Sequence, residues 1–317
     1  MLMNPLHVLV CGTNYGRIYL EAIRLGGAGY RLAGLLGRGS ARSRQMAHEH
    51  GVALYRRVED LASGIDLACA AVGSSAFEVV LGLLARGIHV VCEHPQKLRY
   101  LKSALDVAAS RSLCFHVNGH FADLEAATAF IVQCRRETGA APPSFFHVMA
   151  TDRSLYAALD ILRRVLGSFE PLQFHVTSRL SPFTVIQGLL RGVPTTFHIQ
   201  RFADGHLLAD GSPSYLVDHR IAAGFPSGIL TLLAMNGPVV WNRNLNSAGH
   251  HTQRLFTVVH ENRALTAELL HKQRIAANFG AIEALAKNVC EGLRPLEQTP
   301  DYLLEVSGAW ETLGGLL

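Results

Sequence analysis

No two of the six cysteines (Cys11, Cys69, Cys92, Cys114, Cys134 and Cys290) form a C-x-x-C pair. That argues against a thiolate metal centre. The first four lie in apolar, strand-like runs, where a free thiol behaves as a small buried hydrophobe, so disulfides carry little weight. Also lacking is any apolar run near the roughly 18 to 20 residues that a membrane-spanning helix needs. Hydrophobic residues make up 49% of the chain, but Gly, Arg and His break them into short stretches. MLMNPLHVLVCG leads straight into a strand, without the basic region, long apolar segment and small-residue cleavage site of a secretory signal, and the expectation is a cytoplasmic protein. Charge is scarce: 17% of residues are charged, the net charge is +4, and Lys and Arg are scattered without aromatic interleaving. Small anionic ligands fit this pattern better than nucleic acid. There is no internal repeat and no low-complexity tract.

What is present fills 317 residues, about two domains by length. The first third alternates apolar strands with helical periodicity: HVLVCG, a helix to about Leu25, RLAGLLG, a helix over Arg42 to His50, IDLACAAVG, the helix FEVVLGLLARG, IHVVCEHP, a helix from Leu101 to Ser110, and LCFHVNG. This is the βαβ rhythm of a parallel sheet buried on both faces. From about His120 two helices flank FFHVMAT, and strands then follow one another: LQFHVTSRL, TTFHIQRF, SYLVDHRIA, GILTLLAM and GPVVWNRNL. Strands in succession point to a largely antiparallel sheet. Its expected helical partners are Leu155 to Leu166 and Ile275 to Leu293, with Tyr302 to Leu313 as a closing helix.

Three stretches carry chemistry. In VLVCGTNYGRIYL, Gly12 ends the first strand and Gly16 precedes a helix, the place of a dinucleotide fingerprint, where glycine permits the tight turn and helix N–H groups meet a pyrophosphate. Thr13, Asn14 and Tyr15 complete the turn, although G-x-G-x-x-G would put glycines at the positions held by Asn14 and Arg17. The second strand ends in LLGRGSARSR, with Gly37 where a ribose-binding carboxylate belongs. Arg38, Ser40, Arg42, Ser43 and Arg44 offer guanidinium groups and hydroxyls suited to a 2′-phosphate, so NADPH is expected over NADH. Ser40 is also a natural N-cap of a solvated basic turn, and both readings can hold together. The fifth strand runs into Glu93-His94-Pro95, a polar trio costly to bury without partners, with Pro95 fixing a turn that aims His94 at the ligand cleft.

The glycine-containing first turn, the paired Ser74-Ser75 after strand four and "GIHVVCEHP" resemble the Gfo/Idh/MocA oxidoreductases, whose strand-five signature is usually Glu-Lys-Pro; here His94 replaces the lysine. More narrowly, "GLLGRGSARSRQMAHEHGVALY", "GIHVVCEHP", "LYAALDILRRVLG", "HRIAAGFPSG" and "GPVVWNRNL" resemble the thiazolinyl imine reductases of siderophore assembly lines, of the yersiniabactin and pyochelin type. The resemblance implies an α/β fold: an N-terminal Rossmann NADP-binding domain over residues 1–120, then a C-terminal α+β domain over 121–317 with a largely antiparallel open sheet, for substrate binding and dimerisation. It implies NADPH-dependent reduction of a thiazoline C=N bond to a thiazolidine, on an intermediate held by the carrier domain of a nonribosomal peptide synthetase, in a homodimeric enzyme.

Gly12, Thr13, Asn14, Tyr15, Gly16, Arg38, Ser40, Arg42, Ser43, Ser74, Ser75, Glu93 and His94 are then the cofactor-binding candidates. Those reductases carry a tyrosine after strand six as candidate proton donor, but the segment here reads VNGHFADLE, with Phe121 in its place. His120, His94 or a bound water is left to protonate the nitrogen. Asp160, four residues from Tyr156 and so on the same helix face, is a candidate to orient an acid or the substrate. Phe121, Tyr156, His219 and Trp241 are candidate substrate contacts. His116, His120 and His250-His251 lack a carboxylate or thiol set at ligand spacing, so no metal is expected. Two alternatives stay open: an NADP-dependent dehydrogenase of a free sugar, inositol or bilin, and a non-catalytic NADPH sensor.

Overall fold

The computed structural model describes residues 4–73, 76–201, 218–244, 255–261 and 264–317. The chain forms two compact units, Met1–His120 with His271–Leu304, and Phe121–Leu270 with Glu305–Leu317. The first unit opens with β1 (Leu6–Cys11), α1 (Arg17–Leu25), β2 (Tyr30–Leu36), α2 (Ala41–Glu49), β3 (Ala53–Tyr55), β4 (Leu67–Ala70), α3 (Ala76–Ala85), β5 (His89–Glu93), α4 (Leu98–Ser110) and β6 (Phe115–Asn118). The six strands lie in the order β3-β2-β1-β4-β5-β6, all parallel. The order reverses between β1 and β4, and the crevice beyond the strands' carboxyl ends at such a reversal is where ligands bind in open α/β sheets. Val8, Leu9, Val10, Ala68, Val90 and Cys92 are wholly buried, as continuous apolar strands covered on both faces should be.

The second unit contains α5 (Glu125–Thr138), β7 (Phe145–Thr151), α6 (Leu155–Leu166), β8 (Leu172–Leu180), β9 (Phe183–Leu190), β10 (Val193–Gln200), β11 (His219–Phe225), β12 (Gly228–Leu232), β13 (Val239–Arg243) and β14 (Phe256–His260). Its sheet runs β14-β13-β12-β11-β7-β10-β9-β8, antiparallel except for the β7–β10 pair. Phe146, Val148, Phe197, Ile221 and Leu230 turn to one buried face, against which α5 and α6 pack; the alternate residues His147, Met149 and His198 are only half-buried. β9 and β14 are absent from the strands anticipated above. In β9 the apolar run is cut by Gly188, which reads as a turn; a Cβ there would lie 1.8 Å from the Gln173 carbonyl oxygen, so the residue is glycine because the neighbouring strand is close. The part of SYLVDHRIA before Asp218 lies outside the described residues.

After the second sheet the chain returns. α7 (Ala267–Glu291) was expected to cover the antiparallel sheet, but Ile275, Ile282, Leu285 and Ala286 pack with Val8 and Val10 of β1 and Ile18, Tyr19 and Leu20 of α1. The second domain expected over 121–317 therefore gives up residues 271–304 to the first unit. The helix period was legible in the sequence; its partner was not, because an apolar stripe does not name the surface it covers. Each such buried aliphatic side chain is worth about 1.5–3 kcal/mol, so the returning helix is an integral part of the first core. α8 (Pro300–Gly315) ends the chain, as expected. No helix among the described residues is long and apolar enough to cross a membrane.

One ion pair stands out in the second unit. Arg163 Nε donates to Glu305, whose carboxylate also accepts from the Phe169 N–H and the Ser168 hydroxyl, with side-chain exposures of only 11% and 15% for the pair. Removing one member of a buried pair strands the other charge. Glu305→Ala is expected to destabilise this unit by about 3 kcal/mol, measured by denaturant or thermal unfolding, whereas replacement of the exposed Asp60 partner of Arg57 should leave the unfolding midpoint nearly unchanged.

Candidate active site

Two loops at the carboxyl edge of the first sheet form a cradle. After β1, Gly12 has φ +90°, and a Cβ there would lie 2.2 Å from the Ala71 carbonyl oxygen; one at Gly16 would lie 2.0 Å from the Gly12 carbonyl oxygen. The turn is thus as tight as a dinucleotide loop requires, though only two of its glycines are present. No side chain caps the N-terminus of α1, and although the Ile18 and Tyr19 N–H groups donate to the Tyr15 and Gly16 carbonyls, the positive end of its dipole suits an anion. After β2, Ser40 caps α2 by accepting from the Ser43 N–H at 3.2 Å, and Arg42 donates to Asn14 Oδ1 at 3.1 Å, which ties the two loops together. Arg38, Ser40 and Arg42 are exposed. Ser43 differs from expectation: it is buried, and its hydroxyl donates to the Ser40 carbonyl at 2.9 Å, so it is spent on the helix cap. The helix start, the tight turn and the exposed basic side chains fit a nicotinamide dinucleotide. Ser74 and Ser75 lie outside the described residues.

Beside this cradle, β5 and β6 end in a polar network. Glu93 lies opposite Asn118 in the β5–β6 register. The buried Asn118 Nδ2 shares its two protons among the Tyr19 phenol oxygen (2.7 Å), Glu93 Oε1 (3.0 Å) and Asn278 Oδ1 (2.8 Å). Tyr19 in turn donates to Glu93. Asn118 Oδ1 accepts from the His120 N–H at 3.1 Å, and the Asn118 carbonyl accepts from His94 Nδ1. A carbonyl oxygen can only accept, so His94 carries a proton on Nδ1 and donates it there. His120 Nε2 is 3.0 Å from the Tyr15 hydroxyl, and the His94 and His120 ring centres are 5.8 Å apart. The His94–Pro95 peptide is cis.

The electrostatics follow from burial. Desolvation pushes the Glu93 carboxyl up to about 7 against the hydrogen bonds from Tyr19 and Asn118, which favour its ionised form. Burial, then the charges of His94 and Arg274, hold His120 well below the ordinary imidazole value, so it is neutral. The Tyr15 phenol is raised by burial and by Glu93, and keeps its proton. Glu93, His94 and His120 also bring one ligand atom each within 4.8 Å of one another, a set that linear spacing did not reveal. Each already has a hydrogen-bond partner within the chain, which makes the group a proton network as it stands.

The structure thus gathers Gly12, Asn14, Tyr15, Gly16, Glu93, His94 and His120 in one unit. Tyr19, Asn118 and Asn278 were missed: Tyr19 reads as part of an apolar helix stripe, and only an asparagine between Ile275 and Ile282 on a buried stripe hinted at a polar partner. The remaining candidates belong to the second unit. Phe121 is half-buried at the start of a short turn. Tyr156 and Asp160 are buried, and Asp160 is paired with Arg164 at 3.3 Å, which also bonds Asp123, so its carboxylate neither faces solvent nor stands unopposed. His219 and Trp241 are core residues, 0% and 2% exposed, on the helix-covered face of the sheet, with both His219 ring nitrogens and the Trp241 N–H unpartnered among the described residues. Burial, not an accessible surface, is what the structure gives them. His250-His251 lies outside the described residues.

Residues 6–119 match the model of the Gfo/Idh/MocA oxidoreductase family, NAD-binding Rossmann fold. Residues 141–242 match that of the C-terminal domain of thiazolinyl imine reductase Irp3-like proteins. No match was found among curated proteins. Similar solved structures include UDP-N-acetylglucosamine 3-dehydrogenase GnnA from Acidithiobacillus ferrooxidans (15% identity, 99% of this chain and 98% of that one, TM-score 0.73). Others are an oxidoreductase from Agrobacterium radiobacter in complex with NAD+, L-tartaric acid and magnesium (14% identity, 98% and 96%, TM-score 0.72) and biliverdin reductase from Synechocystis sp. PCC 6803 in complex with biliverdin and NADP+ (13% identity, 98% and 99%, TM-score 0.71). At these identities they show the common fold.

Glu93 makes the first unit's stability depend on pH. Its folded value of about 7 exceeds the ordinary 4.5, so between these values the folded protein holds a proton that the unfolded chain releases. Stability is therefore greatest below the lower value and falls, by up to about 3 kcal/mol, as pH rises through the upper one. Glu93→Gln should flatten that slope in unfolding curves taken across the window.

Proposed function

We propose that this Gfo/Idh/MocA-type oxidoreductase with an Irp3-like C-terminal domain uses NADPH to reduce the C=N bond of a thiazoline to a thiazolidine. The match of residues 141–242 to the thiazolinyl imine reductase Irp3-like domain carries the reading, because a Rossmann unit alone is shared by many chemistries. The substrate is a thioester-linked intermediate on the carrier domain of a nonribosomal peptide synthetase, the pathway is siderophore assembly, and the enzyme works in the cytoplasm as a homodimer. Exposed Arg38 and Arg42 beside the first turn, with Gly37 in place of a carboxylate, support NADPH over NADH.

The bound dinucleotide supplies a hydride to the imine carbon. The chain's own residues do the rest. The start of α1 and the Gly12–Gly16 turn would hold the pyrophosphate, and Arg38, Ser40 and Arg42 would meet the 2′-phosphate. The network around Asn118 fixes Glu93, His94 and His120 in one arrangement before substrate arrives, so little reorganisation is left for the reaction. His94, with Nδ1 held on the Asn118 carbonyl, positions the substrate through Nε2.

The test is nicotinamide absorbance with a synthetic aryl-thiazoline thioester, NADPH against NADH, and free sugars as controls. The expected result is NADPH-dependent turnover with a product two hydrogens heavier; oxidation of a sugar without thiazoline turnover would overturn the reading. In the same assay His94→Ala should lower kcat by roughly 10²-fold while NADPH affinity stays nearly constant. Equal losses in both would make His94 a cofactor contact instead.

A further inference from the structure

We propose that Tyr15, in the turn between Gly12 and Gly16, is the proton donor to the substrate nitrogen, with His120 as its positioning residue. This rests on the imine-reductase reading above. Three observations carry it. First, the Tyr15 hydroxyl is 3.0 Å from His120 Nε2, and its ring meets Tyr19 edge-on at 6.4 Å, so a side chain in a glycine-rich turn is held in one place. Second, Tyr15 is 36% exposed while the network behind it is closed: Tyr19 donates to Glu93 and is wholly buried, and Asn118 is 1% exposed. Third, two of the other candidates are poorly placed to give a proton. His94 has its Nδ1–H committed to the Asn118 carbonyl, and Phe121 has no acidic hydrogen.

The step balances as follows. A bound nicotinamide would supply the hydride, with its two electrons, for the new C–H bond at the imine carbon. The C=N π bond breaks, and the nitrogen takes the proton released when the Tyr15 O–H bond breaks. His120, in the tautomer with its proton on Nε2, donates to the phenol oxygen, which directs the O–H away from the ring and steadies the phenolate as it forms. Solvent reaching the exposed edge of Tyr15 restores the proton after product leaves. The hydrogen bond to His120 thus works on the oxygen where charge appears, which is where a fixed donor has most effect.

Wild-type protein, Tyr15→Phe, His120→Gln and the double variant would be compared for kcat, KM and NADPH Kd with the thiazoline thioester. Tyr15→Phe keeps the ring and should lower kcat by about 10²-fold with NADPH Kd changed less than about 2-fold. His120→Gln should lower kcat when Tyr15 is present and add nothing in the Tyr15→Phe background, a non-additivity that a merely structural histidine would not produce. Incorporating 3-fluorotyrosine at position 15, which changes phenol acidity but scarcely its shape, should shift kcat without shifting KM. Undiminished kcat in Tyr15→Phe, or parallel loss of kcat and NADPH affinity, would overturn the proposal while leaving imine reduction in place. Absence of thiazoline turnover by the wild type would overturn the functional reading, and the proposal with it.

Discussion

The interaction on which the first unit depends is the buried amide of Asn118. Its side chain and its carbonyl together contact five groups: Tyr19 from α1, Glu93 and His94 at the end of β5, the His120 backbone just beyond β6, and Asn278 from α7. A buried primary amide has two protons to give and an oxygen to receive, and leaving either unsatisfied costs on the order of 1–3 kcal/mol. Here every one of its polar atoms is engaged. The strand ends, the first helix and the returning helix are therefore held to one relative arrangement by hydrogen-bond geometry, which apolar packing alone tolerates less strictly.

That constraint explains why α7 must return. An apolar helix could have covered β1 and α1, but Ile275 and Ile282 bracket Asn278, and Asn288 further along accepts from His116 at 3.0 Å. Each asparagine answers a polar side chain projecting from β6. Burying polar groups in a core is costly unless they find one another, so the pairs select a single docking register for the helix. The same logic accounts for Glu93. With no cation bonded to it, the carboxyl is kept tolerable by two donors and by its retained proton near neutrality.

The sequence showed what is periodic and local. Five of the six parallel strands follow from apolar runs and turn signals, the three-residue edge strand β3 being too short to show a pattern, and Glu93-His94-Pro95 stands out because polar groups at a buried strand's end need partners. The antiparallel character of the second sheet was legible from strands in succession, although β9, where Gly188 interrupts the apolar run for a close strand contact, and β14 were not among them. The partners themselves were not legible. Asn118 and Asn278 are 160 residues apart, and nothing in either local pattern names the other. Ser43 shows the converse error: its type and position suited a phosphate, but a serine three residues after an N-cap can be consumed by the cap. His219 and Trp241 likewise have side chains suited to a ligand, and strand register, not residue type, turned them to the covered face.

The first turn joins these themes. A loop of the full G-x-G-x-x-G kind leaves its backbone bare and gives its side chains nothing to do. This one keeps glycine only where the backbone demands it, at Gly12 and Gly16, where any Cβ would strike a carbonyl oxygen. The positions between are free to carry side chains, and two of them reach outward in different directions: Asn14 accepts from Arg42 on the loop after β2, and Tyr15 meets His120 beyond β6. One five-residue turn thus links the basic loop, suited to an anion, with the buried proton network, across the point where the strand order reverses. Departure from the glycine pattern weakens the motif as a signature, yet it is what allows the turn to connect the basic loop after β2 with the polar network at the ends of β5 and β6.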